Sequence, residues 1–139
     1  MSMQAERIFV NLPVKDLQKS IDFFSAVGFE FNPQFTDENA TCMIISETIF
    51  AMLLTEPFFQ TFTKKEITDT SRSIEAITAL QVDSREKVDE IISKAVGAGG
   101  TSPQEPAEQG FMYGSSFEDL DGHLWEVMYM DESAADPEG

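Results

Sequence analysis

Ser116-Phe117-Glu118-Asp119-Leu120-Asp121-Gly122-His123-Leu124-Trp125-Glu126-Val127 sets two largely apolar runs on either side of an Asp-Gly pair. Such a pair between two runs is a strong hairpin signal, because glycine supplies the positive φ that a tight turn demands. Extended outward, the runs cover 112–120 and 124–130, each read as a strand. On the second strand Trp125, Val127 and Tyr129 share the face expected to lie against a helix, while Leu124, Glu126 and Met128 share the other. His123, the sole histidine, follows the turn and is read as a solvated loop-tip residue rather than a ligand. Asp119-x-Asp121-Gly122 lacks the remaining acids and the closing Glu of a calcium loop, so it too is read as a turn.

Upstream of this hairpin, 74–83 reads as a strand, and Ser84 caps a helix. The apolar stripe of that helix is Val88, Ile91, Ile92, Ala95 and Val96. Gly97, Gly99 and Gly100 end it, and a strand near Thr101 is weakened by Pro103 and Pro106. The same order of elements stands earlier in the chain. Leu12-x-Val14 lies over Leu80-x-Val82 at an offset of 68, which also brings Asp16 over Ser84 and Phe23-Phe24 over Ile91-Ile92. Cap falls on cap and apolar face on apolar face, so the chain reads as one module written twice. In the first copy Asp16 caps a helix with Leu17, Ile21, Phe24 and Val27 on one face, and strands are expected at 7–14, 29–35, 40–46 and 49–56. The fold class is therefore α+β, with two tandem βαβββ modules at about 7–56 and 74–130 in a single domain over 7–130. A connector spans 57–73, and an acidic disordered tail is read over 131–139. Phe58, Phe59 and Phe62 in the connector suit a short helix that covers a cavity mouth or a partner; packing beneath the connector is the preferred reading.

A chain of 139 residues is one ordinary domain by length, and 42% apolar side chains are enough to fold it. Nine Lys and Arg against 25 Asp and Glu give a formal charge of −16, which repels phosphate backbones and anionic bilayers. Nucleic acid and membrane are thus excluded as expected partners. Cys42 is the only cysteine, so no intrachain disulfide forms; flanked by Met43 and Ile44, it is read as a buried strand filler. The longest apolar run, 49–54, is too short to span a bilayer, and the first six residues lack the basic and apolar regions of a signal peptide. A cytoplasmic location follows as the expectation.

The repeated βαβββ module, closed by Phe117-x-Asp119-x-Asp121-Gly122-x-x-x-Glu126, resembles the vicinal oxygen chelate superfamily, the group of glyoxalase I, bleomycin-resistance proteins and extradiol dioxygenases. The resemblance spans residues 7–130 and is specific for fold, not for reaction. It implies that each module's strands curl into half of a funnel with helices outside, that the chain pairs as a homodimer, and that metalloenzyme members hold their ligands on the first and last strand of each half. Carried onto this chain, those positions are Phe9, Met52, Ile77 and Glu126, of which one is a metal ligand. One carboxylate supplies too few donors for a divalent ion, so no cofactor is expected, and Glu126 is the sole protein anchor if such an ion enters.

The candidate catalytic or ligand-orienting group is Glu126, set in an apolar pocket of Phe9, Phe50, Met52, Ile77, Leu124 and Met128 that disfavours its ionised form, with Asn11 and Tyr113 as candidate hydrogen-bond donors. Lys19, Arg85, Lys87 and Lys94 are placed on outer helix faces, which leaves few cations for an acidic substrate such as a glutathione adduct. Three functions stay open. The first is a glyoxalase-like protein without a complete metal site that binds a small apolar or cationic molecule, as a bleomycin-resistance protein does. The second is a lactoylglutathione lyase or related lyase or isomerase that uses Glu126. The third is a protein-interaction module built on Phe58, Phe59 and Phe62.

Overall fold

A computed structural model describes residues 2–131, so the tail read over 131–139 lies outside the described residues except for Asp131. The chain divides into two compact units, up to Ile67 and from Thr68, a boundary inside the 57–73 connector.

In the first unit the strands are β1 (Ile8–Val14), β2 (Glu30–Asn32), β3 (Ala40–Ile44) and β4 (Ile49–Thr55), and the helices are α1 (Leu17–Val27) and α2 (Glu56–Gln60). The sheet order is β1-β4-β3-β2, with β1 parallel to β4 and the other pairs antiparallel. Asp16 caps α1 by accepting from the Lys19 amide at 3.1 Å, and Gly28, at φ 126°, ends it. Leu12, Leu53, Ala51, Met43 and Thr41 are register neighbours on one face of the sheet, and all are buried. Phe23, Phe24 and Val27 of α1 are buried as well, and α1 lies against β3 and β4. The strand expected over 29–35 is cut to three residues. Pro33 fixes its own φ and lacks an N–H, and it opens a 3₁₀ turn capped by Asn32, whose side chain accepts from the Gln34 amide at 2.9 Å.

The second unit repeats the plan with β5 (Ile77–Val82), α3 (Arg85–Gly97), β6 (Ala107–Gln109), β7 (Met112–Glu118) and β8 (Leu124–Met130), in the order β5-β8-β7-β6. Ser84 caps α3 through the Lys87 amide at 3.0 Å. Val88, Ile91 and Ala95 are buried on α3, which packs on β7 and β8, where Phe117, Trp125 and Val127 are fully buried. Each of the two aromatic side chains contributes roughly 2–3 kcal/mol by leaving water. The Phe117 and Trp125 rings also stack, with centroids 6.1 Å apart. The strand expected near Thr101 forms beyond both prolines, as β6; Thr101 itself makes only an isolated bridge to Glu118.

The two units share their register. Phe9 pairs with Phe50 and Asn11 with Met52 in the first; Ile77 pairs with Leu124 and Ala79 with Glu126 in the second. The offset of 68 thus carries first strand onto first strand, Phe9 onto Ile77 and Asn11 onto Ala79.

The Asp-Gly turn is more elaborate than the expected loop tip. Asp119 is buried, and its Oδ1 accepts from the amides of Asp121 (2.9 Å) and His123 (3.0 Å), while Oδ2 accepts from the Trp125 indole at 3.0 Å. Gly122 sits at φ 81°, and a Cβ there would lie 2.8 Å from the Thr70 hydroxyl, which donates to the Asp121 carbonyl. His123 is not solvated. It is buried, with Nδ1 3.2 Å from a carboxylate oxygen of Glu75, a partner 48 residues away. Among the described residues no helix is long and apolar enough to cross a membrane.

Candidate functional site

Strand alternation decides which side chains meet. In β8, Trp125 and Val127 turn toward α3, so Leu124, Glu126 and Met128 occupy the open face. Ala79 and Ser116 flank Glu126 on its rung, and Gln81 and Gly114 flank Met128 on the next. Ala107 lies beyond Gly114, and Gln109 beyond Met112. Of these, Glu126, Met128, Gly114, Ser116, Met112, Ala107 and Gln109 line a hollow of about 180 Å³, with Gln104 and Glu105 on its wall. A cavity of about 150 Å³ holds a benzene ring. Glycine and alanine keep this floor low; a Cβ at Gly114 would already stand 3.2 Å from the Val127 carbonyl oxygen. The charged residues at the hollow, Glu105 and Glu126, are both acidic.

Four of the residues expected at the site, Ile77, Leu124, Glu126 and Met128, share this open face, and Glu126 and Met128 line the hollow itself. Three expectations are corrected here. Glu126 is exposed rather than enclosed by apolar side chains, because its rung neighbours Ala79 and Ser116 are too small to cover it. Tyr113 pairs with Tyr129, an odd number of residues from Glu126, and so projects from the opposite face. Its hydroxyl donates to Asp89 of α3 at 2.6 Å, a bond that holds the phenol above its usual range. Tyr113 is therefore not a donor to Glu126. Arg85 is also displaced from the outer helix face: it pairs with Glu108 of β6, and its guanidinium lies 5.1 Å from the centre of the Tyr113 ring.

The first unit brings its own expected residues together. Phe9 and Phe50 stack with centroids 5.0 Å apart, and Asn11, whose amide donates to the Phe9 carbonyl at 3.2 Å, stands beside Met52. Nearby, Asn11, Leu54, Phe59, Phe62 and Thr63 bound a hollow of about 390 Å³. Phe62 is 68% exposed and meets Phe58 edge-on, with centroids 5.3 Å apart. Cys42 is buried as read, and desolvation pushes its thiol up.

Phe9 and Met52 in the first unit and Ile77 in the second offer no nitrogen or oxygen, which leaves Glu126 alone at the positions that the resemblance implied. No group of three His, Cys, Asp or Glu side chains suited to an ion occurs among the described residues.

Sequence reasoning passed over Gly114, Ser116, Ala107, Gln109, Gln104 and Glu105. The first two follow from hairpin register once Ser116 is set opposite Glu126. The others lie around a three-residue strand beyond two prolines, where no periodicity announces a strand.

Residues 7–46 match the family model described as bleomycin resistance protein-like N-terminal. A hypothetical protein from S. aureus is 31% identical, over 91% of this chain and 95% of its own, with a TM-score of 0.77. A glyoxalase/bleomycin resistance protein/dioxygenase family enzyme from Burkholderia phytofirmans shares the fold at 18% identity, over 88% of this chain and 96% of its own, with a TM-score of 0.73. So does a genomically encoded fosfomycin resistance protein from Listeria monocytogenes, at 22% identity, over 91% and 92% of the two chains, with a TM-score of 0.65. No curated protein matches.

Proposed function

The chain belongs to the glyoxalase/bleomycin resistance/dioxygenase family, the vicinal oxygen chelate superfamily, and on that premise we propose that it binds a small ring-bearing molecule, neutral or cationic, in the hollow beside Glu126. The observation that carries this reading is the composition of the hollow: an apolar and thioether floor of Met112, Met128, Gly114 and Ala107, with Glu105 and Glu126 as its charged residues. An ionised carboxylate attracts an amine or amidinium, and the net charge of −16 raises the local concentration of cations around the whole molecule. Anionic molecules meet repulsion at both scales. A lyase acting on a glutathione adduct needs a cationic group to receive the adduct's carboxylates, and the hollow supplies acids instead.

Three ring compounds of similar size and different charge test the reading by calorimetric titration: benzamidine, benzamide and benzoate. Benzamidine is expected to bind most tightly, benzamide more weakly and benzoate not at all, and Glu126→Gln should remove the preference for benzamidine over benzamide. Equal binding of benzoate and benzamidine contradicts the reading.

A further inference from the structure

The wall of the hollow is held from behind. β6 is three residues long, and alternation sends its side chains to both faces: Ala107 and Gln109 line the hollow, while Glu108 faces Arg85 at the start of α3. The Arg85 guanidinium binds the Glu108 carboxylate and lies over the ring of Tyr113, the register partner of Glu108 on β7. The Tyr113 hydroxyl in turn donates to Asp89, one turn further along α3. Helix, β6 and β7 are thus joined by four side chains on the side of the sheet away from the hollow. Otherwise the segment between α3 and β7 is tied to the sheet by little. β6 makes three register pairs, Thr101 bridges to Glu118, and the Ser102 hydroxyl donates to the Ser116 carbonyl at 2.8 Å.

We infer that Arg85 is a positioning residue for the ligand hollow, and that its clasp on Glu108 keeps residues 104–109 in place as the wall. The inference rests on the proposed function only for its ligand consequence; the clasp itself is a statement about this unit. It also accounts for the charge of the site, because the cation that pairs with β6 is committed to the far face of the sheet. An ion pair exposed on both partners responds to charge and salt, so the wall is a segment that a change in charge loosens without disturbing the core.

Amide hydrogen exchange on the full-length protein tests the clasp without any ligand. Arg85→Gln and Glu108→Gln should each speed exchange across 104–109 by roughly threefold, leave 88–95 in α3 unchanged, and be repaired by the double exchange Arg85→Glu/Glu108→Arg. Unchanged exchange at 104–109 in both single variants overturns the proposal, as does equal loosening of α3, which marks a merely structural role. Benzamidine titration provides the second readout. Affinity reduced by a similar factor in the single variants and regained in the charge swap supports the positioning role; a loosened wall with unaltered affinity overturns it. Failure of the unmodified protein to bind benzamidine at all counts against the proposed function instead, and the exchange data then decide the clasp alone.

Discussion

The indole N–H of Trp125 reaches back six residues to the buried carboxylate of Asp119, donating to Oδ2 at 3.0 Å. With the amides of Asp121 and His123 on Oδ1, that carboxylate receives three donors and holds the β7–β8 turn that places Glu126. Removing a buried acceptor leaves donors without partners, at about 1–3 kcal/mol for each buried group so stranded. Asp119→Ala is therefore expected to lower unfolding stability by at least about 2 kcal/mol in urea titration. A change under about 0.5 kcal/mol contradicts the role.

Burial raises the Asp119 carboxyl above its ordinary value of 3.8, outweighing the opposing pull of His123, the indole and the two backbone amides. A folded-state value above the unfolded one means that the native state holds the proton more tightly. The resulting stabilisation is present in full below the unfolded value and is lost as pH rises through the folded one. Relative to Asp119→Asn, which does not titrate, the wild-type protein should lose stability as pH climbs upward from about 3.8. Urea unfolding of both across that range checks the sign, and a wild-type advantage that grows with pH contradicts it.

Cys42 is 2% exposed, and burial pushes its thiol up, so both access and ionisation oppose reaction. Native protein should react with a thiol-directed disulfide reagent on the order of a hundredfold more slowly than protein in denaturant. Comparable rates in the two conditions contradict this placement.

β1 and β5 each end their sheets, and Ile8 and Ile77 on them are both 54% exposed. Apolar residues on an edge strand favour association with a second copy. Sedimentation equilibrium is expected to give twice the 15.5 kDa chain mass, and Ile8→Glu with Ile77→Glu to give the single mass. A monomer in the unmodified protein contradicts this expectation.

The repeat was legible because both copies carry the same physical signals in the same order: a capped helix after a β-branched strand, then an acidic or short turn between apolar runs. Glu126 could be assigned to the face away from the helix because Trp125 and Val127 beside it had to be covered. Other assignments depended on partners distant in the chain. His123 is buried by Glu75 and the folding of its own turn, and nothing local in the sequence announces that pair. Arg85 reads as a solvated helix residue because its partner, Glu108, lies in a stretch whose prolines mask a strand. Tyr113 is a different case. Its face follows from counting back through the hairpin, but the count needs the Ser116–Glu126 register, which the length of the turn sets. The exposure of Glu126 depends on the small neighbours Ala79 and Ser116, and these become neighbours only when the sheet assembles.

Backbone amide chemical shifts during a benzamidine titration measure most directly whether a ring cation occupies the hollow beside Glu126. The expected result is saturable shifts centred on Ala107, Gly114, Glu126 and Met128 that weaken sharply in Glu126→Gln and do not arise with benzoate. Shifts that centre elsewhere, or that benzoate reproduces, contradict it.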